Sequence, residues 1–448
     1  MSLAELTRSA IKYSEKIGVD EVEAFAQSLQ IIEIVLERAE IQSERVKTQC
    51  GIGIRIIKDK KLGFAFTSAL SKSRIEESCR NAKSLANVSI SNPDWVSLPT
   101  PAKLPKPPSG IYDEETASMG GDEVLNLAKQ AYDAAKGYDK RVDIDDGKFS
   151  VILNDVAISN SHGVEAEEKT TLLEGFLICM AKEHGETSSM AFEYEITRAI
   201  RDFSSERIGR IAAEKALASL KPKAVRSFVG KVILDSDPAA TVLIQPIISS
   251  VNADNAQRGR SLWAGKHGEE VASQKLTITD DGLFPKGIGS SSFDFEGVPH
   301  QKTPVITHGK LQSFLHNSFT GNKEGKKSTG NAYRDGYNMP PSIFASNLIV
   351  EAGKKRLEEM ISETDKGVIV RRFSGNVRPE SGEFSGIAKQ ANYIEKGEVK
   401  YPLKETMVSG NVFQAIMNIV EIGSETRPTF LASYVPPIMI AKINIISK

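Results

Sequence analysis

The apolar residues at the start of the chain recur with two different periods. Spacings of three and four residues predict an amphipathic helix closed by Gly18, and its apolar face consists of Leu3, Leu6, Ala10, Tyr13 and Ile17. Between residues 21 and 67 the apolar residues fall in short runs separated by charged turns, which predicts an antiparallel meander. The helical period returns from Ser73 to Ala86.

A similar order of elements follows further along the chain. Residues 121–135 have a helical pattern, and residues 141–197 contain a second set of short strand-like runs. The turn Asn160-Ser161-His162-Gly163 divides these runs, and a third helix is predicted over residues 204–220. This repetition is coarse and does not by itself establish a duplication.

Two proline-containing stretches suggest how the chain is divided. Six prolines between residues 93 and 108 remove amide donors and fix φ, so we expect a linker or covering segment without helix or central strand there. Lys221-Pro222-Lys223 ends the third helix and is the best boundary. We therefore predict an N-terminal α+β domain over residues 1–222, with an antiparallel sheet and packed helices.

Residues 223–448 are predicted to form a mainly antiparallel β domain with long loops and few helices. Helical patterns are confined to residues 238–253 and 410–420. Tight-turn residues are dense between Thr279 and Gly353, where His308-Gly309 is predicted as the turn of a hairpin. The fold class expected for the whole chain is α+β.

The composition of the chain limits the kinds of partner that the protein is expected to bind. The chain has 448 residues and a net charge of −1, which argues against nucleic acid as the main partner. It has no run of the ~18 apolar residues that a membrane helix needs, and its first residues indicate an acidic helix rather than a signal peptide. Cys50, Cys79 and Cys179 are widely spaced and are expected to be reduced. We expect a cytoplasmic protein with no membrane contact.

Long motifs in the C-terminal half resemble those of the TldD/PmbA family, whose members are often labelled modulators of DNA gyrase. They read GIGSSSFDFEGVP from Gly287, ITHGKLQSFLHNSFTGNKEGKKSTGNAYRDG from Ile306, MPPSIFASNLIVEAG from Met339 and VSGNVFQAIMNIVEIGSETRP from Val408. The resemblance is weaker but coherent over the first ~220 residues.

The resemblance also implies a metal site that this chain lacks. Catalytic members of the family are zinc peptidases with a His-Glu-x-x-x-His helix and a cysteine near the C-terminus. Those motif positions fall on Ile244, Gln245 and Ser249 here, and no cysteine follows Cys179. Isoleucine cannot bind a metal, and glutamine cannot take up a proton at neutral pH. The chain is therefore similar to the PmbA branch, also called TldE, and no catalytic or metal-binding residue is predicted in it.

Other candidate chemistry is sparse. His300, His308 and His316 recur at equal intervals, but the hairpin is expected to point them in different directions, so we predict structural or surface roles. Neither a nucleophile elbow nor a phosphate-binding loop is present in the sequence.

The loop after the hairpin is the one region predicted to make a functional contact. Its basic residues form a local concentration, consisting of Lys323, Lys326, Lys327 and Arg334. We predict that Ser328, Asn331 and Arg334 contact a peptide or a partner chain, because such side chains can hydrogen-bond an extended backbone.

Three functions compete. The resemblance implies a non-catalytic, inactive subunit of a TldD/TldE-type metallopeptidase that cleaves peptides or unfolded chains. It would pair with a TldD-type zinc subunit, with itself as a homodimer, or with both, and the zinc would belong to the partner. The alternatives are a stand-alone metal-independent hydrolase and a regulator of DNA gyrase. The hydrolase would need a nucleophile and base that the sequence does not reveal.

Overall fold

The computed structural model describes residues 1–38 and 40–447. The first half of the chain begins with a helix and returns to helix twice after sets of strands. Its elements are α1 Leu3–Lys16, β1 Glu21–Glu37, β2 Glu40–Lys58, β3 Lys61–Thr67, α2 Lys72–Val88, α3 Glu114–Ala117, α4 Gly121–Tyr138, β4 Val142–Asn160, β5 Glu165–Glu183, β6 Glu186–Thr187, β7 Ala191–Thr197 and α5 Ser205–Ala218.

Local chemistry explains where the first helix begins and ends. The Ser2 hydroxyl accepts a 3.2 Å hydrogen bond from the N–H of Glu5, and the Glu5 carboxylate accepts one of 2.8 Å from the N–H of Ser2. This reciprocal cap satisfies amides that have no partner inside the helix. Gly18, with φ +75°, ends the helix as the sequence predicts.

The strands of this half form one antiparallel sheet within the described residues, in the order β3-β2-β1-β4-β5, with β6 and β7 both paired to β5. The two centre strands, β1 and β4, align Glu23 with Asn160 and Glu37 with Asp146. One half of the sheet carries α1 and α2, and the other carries α4 and α5. The repeated helix–strands–helix order is therefore also a repeated arrangement in space.

The helices cover a single face of the sheet. In β1, Ala24 packs with α1 and α2, and Ile34 packs with α4 and α5. Odd-numbered residues such as Glu23, Phe25 and Gln27 point to the opposite face because side chains alternate along a strand. The C-terminal half packs against that opposite face.

The strands are much longer than the short runs predicted from the sequence. Strands β1 and β2 have 17 and 19 residues. Residues 40–49 of β2 are almost all exposed, yet they pair with β1 through the backbone. The alternation of apolar and polar residues depends on burial and not on strand pairing. It therefore ends where the strand becomes exposed, although the backbone pairing continues.

Residues 93–108 form neither helix nor strand, as predicted, and they contact both the N-terminal sheet and the C-terminal half. Trp95 anchors this segment. Its indole N–H donates a 2.7 Å bond to Glu21, and its ring stacks on Phe319 with centroids 6.1 Å apart.

The second half consists mostly of strands and loops. Its elements are β8 Phe228–Leu234, α6 Ser236–Ala239, α7 Gln245–Val251, α8 Ala253–Gln257, β9 Ile278–Asp281, β10 Lys302–Thr307, β11 Lys310–Leu311, α9 Ser318–Lys323, β12 Ala332–Tyr333, β13 Ser342–Ile343, β14 Leu348–Val350, α10 Leu357–Ser362, β15 Lys366–Val377, β16 Glu383–Glu395, β17 Glu398–Pro402, β18 Thr406–Asn411, α11 Val412–Met417, β19 Ile419–Ile422, β20 Arg427–Thr429, β21 Ser433–Val435 and β22 Ile438–Ser447.

Two sheets organise this half. Strands β15, β8, β22, β18 and β16 close into a barrel through the pairing of β15 with β16. A second sheet has the order β11-β10-β9-β14-β21-β20. A helical segment packs in the shared core, where α6 continues through a π-helical turn, Ala240–Ile244, into α7. The α+β class and the predominance of antiparallel pairing agree with the sequence prediction.

Several smaller predictions can be compared with the fold. The hairpin turn at His308-Gly309 is confirmed by the pairing of Thr307 with Lys310. The predicted boundary at residues 222 and 223 lies between the last N-terminal helix and β8, and the division into two domains stays a prediction. No helix within residues 1–38 and 40–447 has the length and apolar character needed to cross a bilayer.

Candidate functional site

A cavity of about 500 Å³ lies between the N-terminal sheet and the C-terminal half. Its floor is the sheet face that the helices leave uncovered. Its walls come from C-terminal loops, namely parts of residues 288–300, 331–335, 344–346 and 430–432. Concave junctions of this kind are the usual location of ligand sites, so this cavity is the candidate functional site.

The floor alternates apolar and polar positions. One cross-strand row consists of Gln27, Val156 and Glu168, and the next consists of Leu29, Asn154 and Thr170. The Gln27 amide donates a 2.8 Å bond to Asn154, and its oxygen accepts one of 3.2 Å from the N–H of Tyr337. The floor is thus ordered by hydrogen bonds before any ligand is present.

Asp280 orders the opposite wall. Its carboxylate accepts bonds from the Asn331 amide at 2.7 Å and from the Ser346 N–H and hydroxyl at 2.8 Å each. Burial raises the pKa of Asp280 to about 6. Because Asn331 and Ser346 both line the cavity, this one carboxylate positions two polar groups of the wall.

Two arginines and two glutamates form a buried network beside the cavity. Arg55 contacts Glu23 at 2.6 Å and Glu296 at 2.9 Å, and Arg334 makes a short ion pair with Glu23. All four side chains are at most 4% exposed. Glu23 and Arg55 belong to the sheet, whereas Glu296 and Arg334 belong to the C-terminal loops, so the network joins the two halves.

The charges within this network balance. Burial opposes ionisation of Glu296, but the charge of Arg55 and the bonds from Ser318 outweigh it and lower the pKa of Glu296. Burial also disfavours the charged form of Arg55, but the charges of Glu23 and Glu296 outweigh the effect of burial and raise the pKa of Arg55. Glu296 and Arg55 therefore remain ionised out of contact with water, whereas burial lowers the pKa of Arg334.

Arg198 and Glu168 fix the loop that starts at Gly287. The Arg198 guanidinium donates to carbonyl oxygens of Gly287 at 3.0 Å and of Ile288, and burial lowers its pKa to about 10. Glu168 accepts a 2.6 Å bond from the hydroxyl of Ser292. Both residues line the cavity and hold its wall against the sheet.

His300 and Asp294 are titratable groups of the cavity lining. Burial lowers the pKa of His300 to about 4, so the ring is neutral at physiological pH. Burial and the neighbouring charge of Glu296 raise the pKa of Asp294. No hydrogen bond joins the His300 ring to a hydroxyl or thiol in the described part of the chain, so His300 is not paired with a nucleophile in this structure.

The positions expected for metal ligands carry side chains that differ in burial and in chemistry from a zinc site. The Ile244 side chain is 0% exposed within the C-terminal core, whereas Gln245 is exposed to solvent. The Ser249 hydroxyl accepts a 3.3 Å bond from the Asn255 amide. A hydrocarbon, an amide and a hydroxyl that already accepts a hydrogen bond do not fit zinc.

The cysteines do not supply the missing thiolate. Cys79 and Cys179 are buried in the cores of the N-terminal half, where burial raises their pKa values to about 11 and about 12. Cys50 lies on β2 in the same half. Within residues 1–38 and 40–447, no group of three or more His, Cys, Asp or Glu residues could hold a metal ion.

The three residues predicted to contact a peptide or partner lie in different environments. Asn331 and Arg334 both line the cavity, but Arg334 is also held by Glu23 and by a 3.0 Å bond to the Met339 carbonyl. The Ser328 hydroxyl donates a 3.0 Å bond to the His316 carbonyl outside the cavity. Their contact with a peptide or partner stays a prediction.

The basic concentration predicted in this loop does not exist as one surface patch. Arg334 is 3% exposed, because its guanidinium enters the buried network. Lys323 pairs with Asp94 at 2.7 Å, and Lys326 pairs with Glu324 at 2.8 Å. The sequence did not identify Glu23, Arg55 and Glu296 as members of the site. The one available signal was that Arg55 stands in an otherwise apolar run, residues 51–57.

The chain belongs to the PmbA/TldD family. Family models match residues 22–86 as PmbA/TldA metallopeptidase domain 1, residues 114–220 as the central domain and residues 229–447 as the C-terminal domain. Together these matches cover most of the chain, including the sheet, the cavity loops and the barrel.

Relatives align over most of their own length. An uncharacterized protein of Methanocaldococcus jannaschii is 28% identical over 413 residues, covering 92% of this chain and 94% of that protein. Metalloprotease PmbA of Escherichia coli O157:H7 is 25% identical over 414 residues, covering 88% of this chain and 86% of that protein.

Solved structures have the same fold. TldE from Thermococcus kodakarensis superimposes with a TM-score of 0.91 at 24% identity, covering 98% of this chain and 100% of that one. A Thermotoga maritima protein whose name refers to a modulator of a DNA gyrase gives 0.90 at 25% identity, covering 99% of this chain and 100% of that one.

Proposed function

We propose that this chain is a non-catalytic, TldE-like subunit of a TldD/TldE-type metallopeptidase acting on peptides or unfolded chains. The observation that carries the proposal is the burial of Ile244. A hydrocarbon side chain fills the core at the position where the resemblance expects the first metal ligand. Peptide hydrolysis at neutral pH needs an activated water, and the residues at positions 244, 245 and 249 cannot bind a metal that would activate one.

The cavity suggests what the subunit contributes. Its lining combines apolar surface with hydrogen-bonding groups held in place by Asp280, Arg198 and Gln27. An extended peptide presents the same mixture of apolar side chains and backbone donors and acceptors. We propose that Ser328, Asn331 and Arg334 contact such a peptide or the partner, and that the subunit holds the substrate and excludes solvent.

The partner supplies the chemistry in this proposal. It is a TldD-type chain that carries His-Glu-x-x-x-His, a late cysteine and the zinc, and a homodimer of this chain is the alternative assembly. The absence of a basic excess favours peptide over nucleic acid as the ligand. We place the complex in the cytoplasm, where three thiols that form no disulfide would stay reduced.

Mixing experiments test the proposal. We expect no cleavage of a fluorogenic unfolded peptide by this chain alone, and cleavage that a chelator abolishes when a TldD-type chain is added. Tyr333 lines the cavity and is 38% exposed, so Tyr333→Ala should raise the KM of the mixed enzyme several-fold. Tyr138 on α4 is 43% exposed and lies away from the cavity, so Tyr138→Ala is the matched control.

The alternatives predict other outcomes. Cleavage by this chain alone in the presence of a strong chelator would replace the proposal with a metal-independent hydrolase. A gyrase regulator, suggested by the name of the Thermotoga maritima protein, would change supercoiling by purified gyrase at stoichiometric concentrations. If the mixture cleaves no unfolded peptide and the chain changes supercoiling in this way, the proposal of a peptidase subunit is wrong.

A further inference from the structure

A second, smaller pocket of about 140 Å³ lies next to the cavity. Phe192 and Lys215 of the N-terminal half form one side, and strands β15 and β16 form the other. Phe430 and Leu431 line both the pocket and the cavity, so the two spaces are adjacent. Thr241, which precedes Gln245 by four residues on the same helical segment, also lines the pocket.

Two arginines in this pocket have no carboxylate partner. Neither Arg371 nor Arg372 has an acidic oxygen within 4 Å in the described part of the chain. Burial lowers the pKa of both, and the charge of Asp235, beyond that distance, only partly offsets burial for Arg371. Arg371 donates a 2.7 Å bond to the Asn392 side chain, and Arg372 lies 5.8 Å from the centroid of the Phe192 ring. Half-buried arginines normally meet an anion, because a desolvated charge without a partner is costly.

The other charged groups of the pocket are already paired. Lys215 makes a short ion pair with Glu193. Asp237 accepts a short hydrogen bond from the Tyr194 hydroxyl, and burial raises the pKa of Asp237. The uncompensated charge of the pocket is therefore positive and comes from Arg371 and Arg372.

Gln390 adds a donor without an acceptor. The residue is 8% exposed, and its amide nitrogen has no hydrogen-bond partner among the described residues. Its φ is +49°, in the left-handed region that a residue with a side chain rarely adopts. It lies in β16 between Lys389, which pairs with Arg372, and Ala391, which pairs with Val370. Buried donors without partners are rare and mark strain or a missing ligand.

Both arginines line one pocket although they are adjacent in β15. Neighbouring side chains of a regular strand point to opposite faces. Both Arg371 and Arg372 line the pocket, beside the point where Gln390 leaves the regular conformation of the partner strand. The strained backbone thus lies where three residues with donor side chains line the same pocket.

We propose that this pocket binds a carboxylate, and specifically the C-terminal carboxylate of a peptide that lies in the adjoining cavity. Arginine forks match the planar geometry of a carboxylate and can hold it with two parallel hydrogen bonds. The volume corresponds to only a few water molecules of about 30 Å³ each, which suits a chain end better than a folded segment. The peptide part of this inference rests on the proposed function, whereas the carboxylate site itself does not.

Paired peptides test the inference on the chain alone, without a partner or an activity assay. One labelled unfolded peptide carries a free C-terminal carboxylate, and the other has the same sequence with a C-terminal amide. Fluorescence anisotropy should show the acid binding about tenfold or more tightly than the amide. This comparison needs no variant, so it stays decisive even if a substitution impairs folding.

Variants then locate the preference. Arg371→Gln and Arg372→Gln should each remove most of the difference between acid and amide, whereas Arg372→Lys should retain part of it. Arg378→Gln is the matched control, because Arg378 follows the same strand, is 73% exposed and pairs with Glu383. Circular dichroism melting confirms that each variant is folded.

The contrary outcomes are distinct. Equal binding of acid and amide would overturn the inference, as would an acid preference that survives in both glutamine variants. Equal binding with displacement of both peptides by millimolar inorganic phosphate would replace it with a phosphate site. A preference for the acid together with an inactive mixed enzyme would support the site and contradict the proposed function instead.

Discussion

Arg55 and Glu296, which are 241 residues apart in the chain, form a 2.9 Å ion pair across the junction between the N-terminal sheet and the C-terminal half. Their side chains are 4% and 0% exposed, and Glu23 holds the same guanidinium at 2.6 Å. A buried charge retains its ionised form only while its partners stay in place. The pair therefore makes the position of the Glu296 loop, and with it one wall of the cavity, depend on the sheet.

Glu296→Gln should destabilise the protein by about 3–5 kcal/mol, because it keeps the shape of the side chain but leaves Arg55 with one carboxylate fewer in a buried site. Urea unfolding followed by circular dichroism measures the loss. Glu383→Gln is the matched control, since the pair of Glu383 with Arg378 is 64% and 73% exposed and its loss should change stability by less than about 1 kcal/mol. Equal losses in both variants would contradict the role assigned to the network.

His300 should give stability a pH dependence. Its folded pKa of about 4 lies below the ordinary value of 6.5, so the unfolded chain binds this proton more readily. The stability contributed by the neutral ring is complete above pH 6.5 and is lost as the pH falls toward 4. His300→Gln should flatten the pH profile of the unfolding free energy across this window by up to about 3 kcal/mol.

The difference between parent and variant is the quantity to measure, because Asp280 acts in the opposite direction. Burial raises its pKa to about 6, so its contribution is complete at low pH and is lost as the pH rises through 6. His267→Gln is the control, because His267 is exposed. Parallel pH profiles for the parent and His300→Gln would show that the ring is not desolvated.

Gly209 marks the closest approach between α5 and α4. A methyl group at this position would lie 2.0 Å from the carbonyl oxygen of Ala131. Gly209→Ala should therefore cost about 1–3 kcal/mol, although alanine favours helix. A methyl group added to Gly137 on α4 would have no neighbouring atom within 4 Å, so Gly137→Ala should stabilise the protein by about 0.5–1 kcal/mol. Melting temperatures that shift in the same direction would contradict this packing.

The sequence was informative wherever burial alternates with exposure. The period of Leu6 and Ala10 predicted α1, and His308-Gly309 predicted the hairpin turn. It was uninformative where pairing occurs without burial, as in residues 40–49 of β2, whose exposed side chains hide a continuous ladder with β1. The C-terminal barrel also needs the pairing of β8 with β22, which lie at opposite ends of the C-terminal half, and no local pattern encodes that pairing.

The candidate site was less predictable, because its residues meet only in the folded chain. The loop around Asn331 could be selected from its turn residues, but Arg334 was expected in a basic surface cluster and is instead buried against Glu23, 311 residues earlier. Charged residues in a sequence do not reveal whether a partner of opposite sign will reach them. The carboxylate pocket had no sequence signal, since the adjacent Arg371 and Arg372 would face opposite sides of a regular strand.

Restoring the zinc motif should not restore a zinc site. In a chain carrying Ile244→His, Gln245→Glu and Ser249→His, the first imidazole would replace a side chain that is 0% exposed in the core, and it would have no hydrogen-bond partner there. Ile244→His alone should cost about 2–5 kcal/mol, whereas Gln245→Glu on the exposed neighbouring position should cost less than about 0.5 kcal/mol. Metal analysis of the triple variant purified with zinc should find well under one zinc per chain, because the late cysteine is still missing and position 244 is buried in the core. The contrary result is a triple variant that binds stoichiometric zinc and melts at the parental temperature. It would show that the helix can rotate its first ligand position toward solvent. The non-catalytic assignment would then rest on the residue identities alone.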